Sequence, residues 1–373
     1  MSVRSAYVHV PFCRHRCGYC NFTVVANRDD LIEDYLRAIE IELSWFKEPQ
    51  SVDTLFIGGG TPTHLRPAQL ERLFETLRHW LPVNDAAEIS VEANPEDINS
   101  QTIDVLVRAG VNRVSLGAQS FRDTKLRTLE RSHAGDQVTH CMEQLRPAVR
   151  SISLDLIFGA PHETVEQWTA DLAAALDLSP DHLSTYGLTY ERGTRFFARR
   201  HKQELRQVPE DTERQMYELA IDTVQEHGFD HYEVSNFARS GHCCRHNMNY
   251  WECGQFFGIG PGASSYVNGI RKSNHRSTTS YLQKTLRGTS PINESETLDE
   301  KEQAHERLVF GLRQLKGINI QQFATASGFE VHDLVGKQLK WLADEGLLHV
   351  DEVCIRLTRQ GLLVSDAIWP HLF

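Results

Sequence analysis

The chain reads as an α/β protein: a partial TIM-like barrel of six βα units, (β/α)6, followed by a small winged-helix-like C-terminal domain. Six short β-rich segments ending in turn residues alternate with longer stretches whose apolar residues return every three or four positions. That alternation is the pattern of a parallel sheet with helices outside it. Nearly every strand candidate ends in polar or Gly-containing residues, which a barrel gathers at its C-terminal rim, where active sites form. An open doubly wound sheet is the second architecture compatible with the same pattern. After about Ser290 the alternation gives way to consecutive helix-like stretches and a hairpin.

In order, the strand candidates are "AYVHVP", "VDTLFIGGGTP", "EISVEANP", "RVSLGAQS", "SISLDLIFGAP" and "HLSTYGLTY". Between them, "RDDLIEDYLRAIEIELSWF", "PAQLERLFETLRHWL" and "VEQWTADLAAALDL" carry the helical period. "SETLDEKEQAHERLVFGLRQLKG", "NIQQFATASG" and "VHDLVGKQLKWLADEGLL" then read as three helices, "HVDEVCIRLT" as a β-hairpin and "RQGLLVSDAI" as a last helix. The expected organisation is a barrel over 1–240, a connecting segment with a His-and-aromatic motif over 241–290, and the winged-helix-like domain over 291–373. No internal repeat beyond the βα alternation is visible.

With 373 residues, 40% hydrophobic and 24% charged, the chain can bury one large core and a smaller second one. Its longest apolar runs fall well short of the roughly 20 residues of a membrane span, and "MSVRSAYVHV" lacks a signal peptide's apolar stretch, so a cytoplasmic location is expected. The net charge of −11 argues against a general affinity for nucleic acid. Winged helices often bind DNA, but residues 294 to 373 hold eight Lys or Arg against thirteen Asp or Glu, which favours a protein-contact, lid or substrate-facing role. Eight cysteines, clustered at Cys13, Cys17 and Cys20 and again at Cys243, Cys244 and Cys253, suggest metal-site spacing rather than a disulfide framework.

Three thiolates from one loop, spaced CxxxCxxC, can hold three irons of a cubane cluster and leave the fourth open to a ligand. A zinc site is the alternative and needs a fourth ligand such as His9 or His15. The motif follows the first strand of a βα series and has Tyr19 before its last cysteine. In this it resembles the radical S-adenosylmethionine superfamily. The resemblance implies a 4Fe-4S cluster on Cys13, Cys17 and Cys20. Its open iron would chelate the amino and carboxylate groups of S-adenosylmethionine, and the reduced cluster would split the sulfonium to a 5′-deoxyadenosyl radical.

"FIGGGTPTHL" follows the second strand, where glycine lets the backbone approach a ligand. It is similar to the superfamily's GGGTP element, which places Gly59, Gly60 and Thr61 at the cofactor's ammonium. Glu92 and Gln119 end the third and fourth strands and suit a zwitterionic nucleoside. Arg131 in "ERSH", Asp155 in "SLDLIFGAP" and Tyr7 on the first strand likewise match cofactor positions of the superfamily. Taken singly, Glu92 and Gln119 read as solvated strand ends, Arg131 as a helix-cap salt bridge and Tyr7 as core packing.

Within the superfamily, "YVHVPFC", "GGGTPTHL", "VEANP", "SLGAQSF", "LDLIFGAP" and "GIGPGASSY" resemble the group of oxygen-independent coproporphyrinogen III dehydrogenases and HemW-type haem chaperones. The dehydrogenases carry a further cysteine where this sequence has Phe22, and a long N-terminal extension ahead of the position of Tyr7. "HYEVSNFARSGHCCRHNMNYW" matches the HNxxYW motif of the chaperone branch, with His246, Tyr250 and Trp251 as haem candidates: imidazole can ligate iron while the aromatics pack on the macrocycle. Alone, His246 reads as a hydrogen-bonded structural histidine, and Cys243, Cys244 and Cys253 as alternative ligands or inert thiols. The resemblance implies a binding and delivery protein, passing haem to apo-haemoproteins such as respiratory enzymes, with the cluster supporting dimerisation or transfer and with peripheral membrane contact open to it. The alternative is an enzyme that oxidatively decarboxylates two propionates of coproporphyrinogen III.

Overall fold

The computed structural model describes residues 3–373. Six parallel strands, β1 (Ser5–Val10), β2 (Val52–Gly59), β3 (Val83–Ala93), β4 (Arg113–Gln119), β5 (Ser151–Phe158) and β6 (His182–Gly187), lie side by side in chain order. Helices α1 (Ile32–Ser44), α2 (Pro67–Trp80), α3 (Ser100–Arg108), α4 (Gly135–Leu145), α5 (Val165–Asp177) and α6 (Glu210–Glu226) follow them one by one. A doubly wound sheet reverses its strand order part-way. This one does not, so the winding is that of a barrel.

Each strand presents one face to the helices and one to a lumen. Ala6, Val8 and Val10 of β1, Ile89, Val91 and Ala93 of β3, and Ile152, Leu154 and Leu156 of β5 are buried in a core shared with the helices. Helix α1 supplies Ile32, Tyr35, Leu36, Ile39 and Leu43 to it, the spacing of one helical face. The alternate positions, Tyr7, Glu92, Ser115, Asp155, Ser184 and Tyr186, all line the lumen. Barrels of this winding usually fill that space with branched apolar side chains; here it is hollow and polar.

The sheet continues beyond the six strands. β6 pairs antiparallel with β8 (Asn236–Ala238), which pairs with β7 (Asp230–Glu233). On the far edge β1 takes β9 (Phe256–Ile259) as a parallel neighbour, followed by β10 (Ser264–Val267), β11 (Ile270–Asn274) and β12 (Ile292–Thr297). Among the described residues the two outer strands, β7 and β12, do not pair, so the ring stays open. Residues 241–290 thus contribute three strands to the sheet rather than connecting two domains. Residues 292–297 are a fourth; all six are exposed, as suits a charged edge strand, and the sequence shows no period there.

The C-terminal module begins at Asp299, which forms a reciprocal capping box with Glu302 at the start of α8 (Glu300–Leu312). A short strand at Ile318–Asn319, α9 (Ile320–Ser327), α10 (Val331–Asp344) and the hairpin Leu348–Val350/Cys354–Leu357 complete the winged-helix order. The last helix breaks at Val364 into Arg359–Leu363 and Ser365–Ile368. The module packs on the β7–β8 hairpin, where Leu315 N–H donates to the Tyr232 carbonyl and Val234 N–H to the Arg313 carbonyl. Arg359 adds a bidentate pair with Asp222 of α6.

The turn after β4 is held by a buried ionic cluster. Lys125 bonds both Glu163 and Asp171, and Asp171 also accepts from Ser120 Oγ and Phe121 N–H. All three charged side chains are at most 3% exposed. Lys125→Ala leaves two carboxylates buried together and is expected to cost about 3–5 kcal/mol in denaturant unfolding; a cost below about 1 kcal/mol would show that the site admits water.

Candidate functional site

The C-terminal strand ends and the loops after them enclose a cavity of about 1050 Å³. Cys13, Cys17 and Cys20 line it together with Gly59, Gly60, Thr61, Glu92, Gln119, Arg131, Asp155 and Tyr7. All eleven cluster and cofactor candidates therefore meet in one space.

The cysteine loop is pinned from two sides. Gly60 N–H donates to the Val10 carbonyl (2.8 Å) and Thr61 N–H to the Phe12 carbonyl (2.7 Å). Opposite, Phe196 N–H of the short helix Arg195–His201 donates to the Gly18 carbonyl (2.9 Å). A Cβ on Gly60 would lie 2.6 Å from the Phe12 carbonyl oxygen, and one on Gly59, at φ +107°, 2.4 Å from the His9 ring. Glycine is needed at position 60 because backbone meets backbone there, and at position 59 because of its positive φ and the His9 ring against it. Gly59 N–H donates to Glu92 Oε2 (2.8 Å). With all three N–H groups engaged and the Thr61 carbonyl accepting from His64 N–H (3.0 Å), the backbone groups left to this loop for a ligand are the carbonyl oxygens of Gly59 and Gly60, acceptors suited to ammonium.

The donor set fits an iron–sulfur cluster. Among the described residues no three His, Cys, Asp or Glu side chains are gathered as ligands of a single metal ion, and the three thiols of one loop all line the cavity. His9, one of the imidazoles a zinc site would need, has both nitrogens engaged, Nδ1 with Tyr7 OH (3.0 Å) and Nε2 with the Thr23 carbonyl (2.7 Å). The other, His15, is exposed on the loop and meets the guanidinium of Arg195 (3.3 Å). Burial pushes the Cys13 thiol up to about 12, so iron binding there displaces a proton. Arg131 approaches Cys17 Sγ (3.8 Å) and the Thr61 hydroxyl approaches Cys13 Sγ (3.4 Å), two polar groups of the kind that tune cluster sulfurs.

On the lumen side, Asp155 accepts from Ser115 (2.9 Å) and Ser153 (3.2 Å), and burial raises its carboxyl. Gln119 ends β4 in the left-handed region at φ +61°, at a register irregularity that turns it to the cavity. An inner chamber of about 410 Å³ lies lower in the lumen and shares Tyr7, Glu92, Ser115, Asp155, Tyr186 and Ser264 with this cavity as lining.

The HNxxYW residues sit at the other end of the barrel. They form α7 (Arg245–Trp251), packed across the N-terminal ends of the strands as a floor. Glu88, midway along β3, accepts from Arg245 N–H and His246 N–H (both 3.0 Å). His246 is 1% exposed and lines the inner chamber. Its Nδ1 meets Thr54 Oγ1 (2.9 Å) and its Nε2 Tyr250 OH (2.8 Å). Burial lowers it to about 3, so the ring is neutral, one nitrogen donating and the other accepting. Tyr250 lines the same chamber, but Trp251 points away, its ring 6.3 Å from Phe310 and under the guanidinium of Arg313 (4.5 Å). The structure thus brings His246 and Tyr250 together and assigns Trp251 to the joint with the C-terminal module.

Residues 7–174 match the family model of the Radical SAM superfamily, and residues 298–364 that of the HemN C-terminal domain. A heme chaperone HemW of Bacillus subtilis is 36% identical over 98% of both chains. The chain belongs to the HemW family. A HemW of Lactococcus lactis is also 36% identical, over 98% of this chain and 96% of that one. The mitochondrial radical S-adenosyl methionine domain-containing protein 1 of Bos taurus is 33% identical over 97% and 85%. Among solved structures, coproporphyrinogen III oxidase (HemN) from Escherichia coli superposes with a TM-score of 0.87 at 25% identity, covering 100% of this chain and 90% of that one. The radical SAM barrel and the C-terminal module are thus those of the HemW and HemN fold.

Several residues of this HemW-family site escape a motif reading. Asn94 joins Arg131 to Thr61, and Arg113, Ser115, Ser153 and His182 line or support the lumen. The signal for the last four was the recurrence of polar residues at every second position of β4 to β6, where a packed barrel would alternate apolar side chains.

Burial pushes Glu92 from 4.5 up to about 7, with the Gly59 N–H lowering it and Asp155 raising it. Between those values the folded chain holds a proton the unfolded chain has lost, so stability falls as pH rises through that window. For the metal-free chain this loss is expected to reach up to about 3 kcal/mol, and Glu92→Gln to remove it. Thermal melts of both proteins from pH 4 to pH 8 check this; parallel curves would refute it.

Proposed function

We propose that this protein binds haem and passes it to apo-haemoproteins such as respiratory enzymes, on a radical S-adenosylmethionine scaffold with a 4Fe-4S cluster on Cys13, Cys17 and Cys20. The observation that carries this reading is the near end-to-end similarity to a heme chaperone, in a chain whose cysteines, glycine loop and Glu92 line one cavity. Such a cluster, when bound, supplies an open iron for the amino and carboxylate groups of S-adenosylmethionine and an electron for its sulfonium. The chain's own part is to offer carbonyl oxygen at Gly59 and Gly60, a carboxyl at Glu92 and Asp155, an amide at Gln119 and a fixed cation at Arg131. Tyr7 faces both the cofactor cavity and the inner chamber. The proposed setting is the cytoplasm, with peripheral contact at a membrane and a homodimer as the working form; no helix among the described residues is long and apolar enough to span a bilayer.

Haem is assigned to the HNxxYW floor. Ligation by His246 requires Nε2 to release the Tyr250 hydroxyl, after which the neutral imidazole is in the state a haem iron takes. Trp251 then anchors the floor to Phe310 and Arg313 and lies outside the haem seat.

The backbone likeness to HemN favours a second reading, oxidative decarboxylation of coproporphyrinogen III. Phe22, 67% exposed at the cavity wall, stands where that branch carries a further cysteine.

Two measurements separate these statements. Cys17→Ser is expected to abolish the cluster in a soluble chain; unchanged iron content and a retained visible shoulder would refute the ligand assignment. Anaerobic haem titration, followed by the Soret band, is expected to saturate near one haem per chain. His246→Ala should weaken it at least about tenfold, whereas Tyr250→Phe, which frees Nε2, should preserve or strengthen it. No saturable binding in the unmodified chain would turn the reading to the decarboxylase, and equal binding by all three would move haem off the motif.

A further inference from the structure

The geometry points to Asn94 as a positioning residue that directs two polar contacts onto the cluster cysteines, and so sets how readily the cluster is reduced; this rests on Cys13, Cys17 and Cys20 being its ligands. Asn94 follows β3 and precedes Pro95, which confines it to an extended backbone, φ −104° and ψ 148°. It stands at the N-cap of the turn Pro95–Asp97. Asparagine there ordinarily accepts from the backbone ahead of it. This one makes no such bond.

Its amide faces the cysteine loop instead. Oδ1 accepts from Arg131 Nη2 (2.6 Å), and Nδ2 donates to Thr61 Oγ1 (2.8 Å). The first contact fixes the second, because a guanidinium can only donate, so the carbonyl end of the amide must face Arg131 and the NH2 end Thr61. A hydroxyl that accepts from Asn94 has its own proton free to give. Thr61 is 1% exposed, which keeps bulk water from competing, and Cys13 Sγ lies 3.4 Å away. The Thr61 hydroxyl is thereby aimed at Cys13.

At the other end, Arg131 holds the Asn94 oxygen and the Gly117 carbonyl (3.0 Å) with one terminal nitrogen, which leaves the other facing Cys17 Sγ (3.8 Å). One amide thus links Cys13, Thr61, Arg131 and Cys17. Hydrogen bonds to cluster sulfurs favour the more negative, reduced state and raise its potential. Leucine at position 94 fills the same volume but neither donates nor accepts. The Thr61 proton can then turn away from sulfur, and the guanidinium loses one of its two anchors.

The test is a potentiometric titration of the anaerobically reconstituted full chain, read by the electron paramagnetic resonance of the reduced cluster. Asn94→Leu is expected to make the cluster about tenfold harder to reduce at a fixed poise, a fall of about 59 mV for one electron. Thr61→Val should produce part of that fall, and Asn94→Leu should add less in the Thr61→Val background than alone, because half of its action is already gone. An unchanged midpoint in fully loaded Asn94→Leu, or an equal fall in both backgrounds, would overturn the inference. Should Asn94→Leu fail to take up iron, loaded Thr61→Val decides: a lowered midpoint upholds the inference and an unchanged one overturns it. Failure of the ligand assignment itself would show separately, as a chain without Asn94 substitutions that holds no cluster or keeps one in Cys17→Ser.

Discussion

Two backbone hydrogen bonds hold the mouth of the barrel together, from Gly60 and Thr61 to the carbonyls of Val10 and Phe12. They draw the loop after β2 against the chain leaving β1, at a separation that leaves no room for a side chain on Gly59 or Gly60. Almost everything at the site follows from that approach. It places the Thr61 hydroxyl beside Cys13 and turns Gly59 N–H toward Glu92. Loosening it would move the first cysteine and the carboxyl of Glu92 together.

The second constraint is the polar lumen. Its carboxyl at Asp155 and its imidazoles are each met by hydroxyl groups: Ser115 and Ser153 at Asp155, Ser153 and Tyr232 at His182, Thr54 and Tyr250 at His246. Networks of this kind lose more than one bond when a member is removed. They also explain how the lumen stays hollow, since the sheet takes its apolar support from the helices outside it and needs no packing within.

The residues whose chemistry is written in their own motif were legible in the sequence. The cysteine spacing, the glycine run and the strand-ending Glu92 and Gln119 fall at one rim because strand ends of a singly wound barrel must, and Asp155, midway along β5, faces the same cavity from below. What depended on the third dimension was not. β12 is an edge strand without an apolar face, so it has no period to detect. His246, Tyr250 and Trp251 are neighbours on one short helix, and only its packing shows that the Trp faces α8 while the other two face the lumen. Asn94 lies in a stretch that drew notice for Glu92, and its role becomes visible only beside Thr61 and Arg131.

The open ring bears on how the lumen is held together. In a closed barrel every strand is laddered to two neighbours, and admitting a guest wider than the bore means breaking a row of hydrogen bonds. Here β7 and β12 share no such row. What spans the gap instead is the C-terminal module, bonded to the β7–β8 hairpin through Leu315 and Arg313 and to β11 through Glu306 and Arg271, so the ring is held by a separate clasp and not by its own sheet.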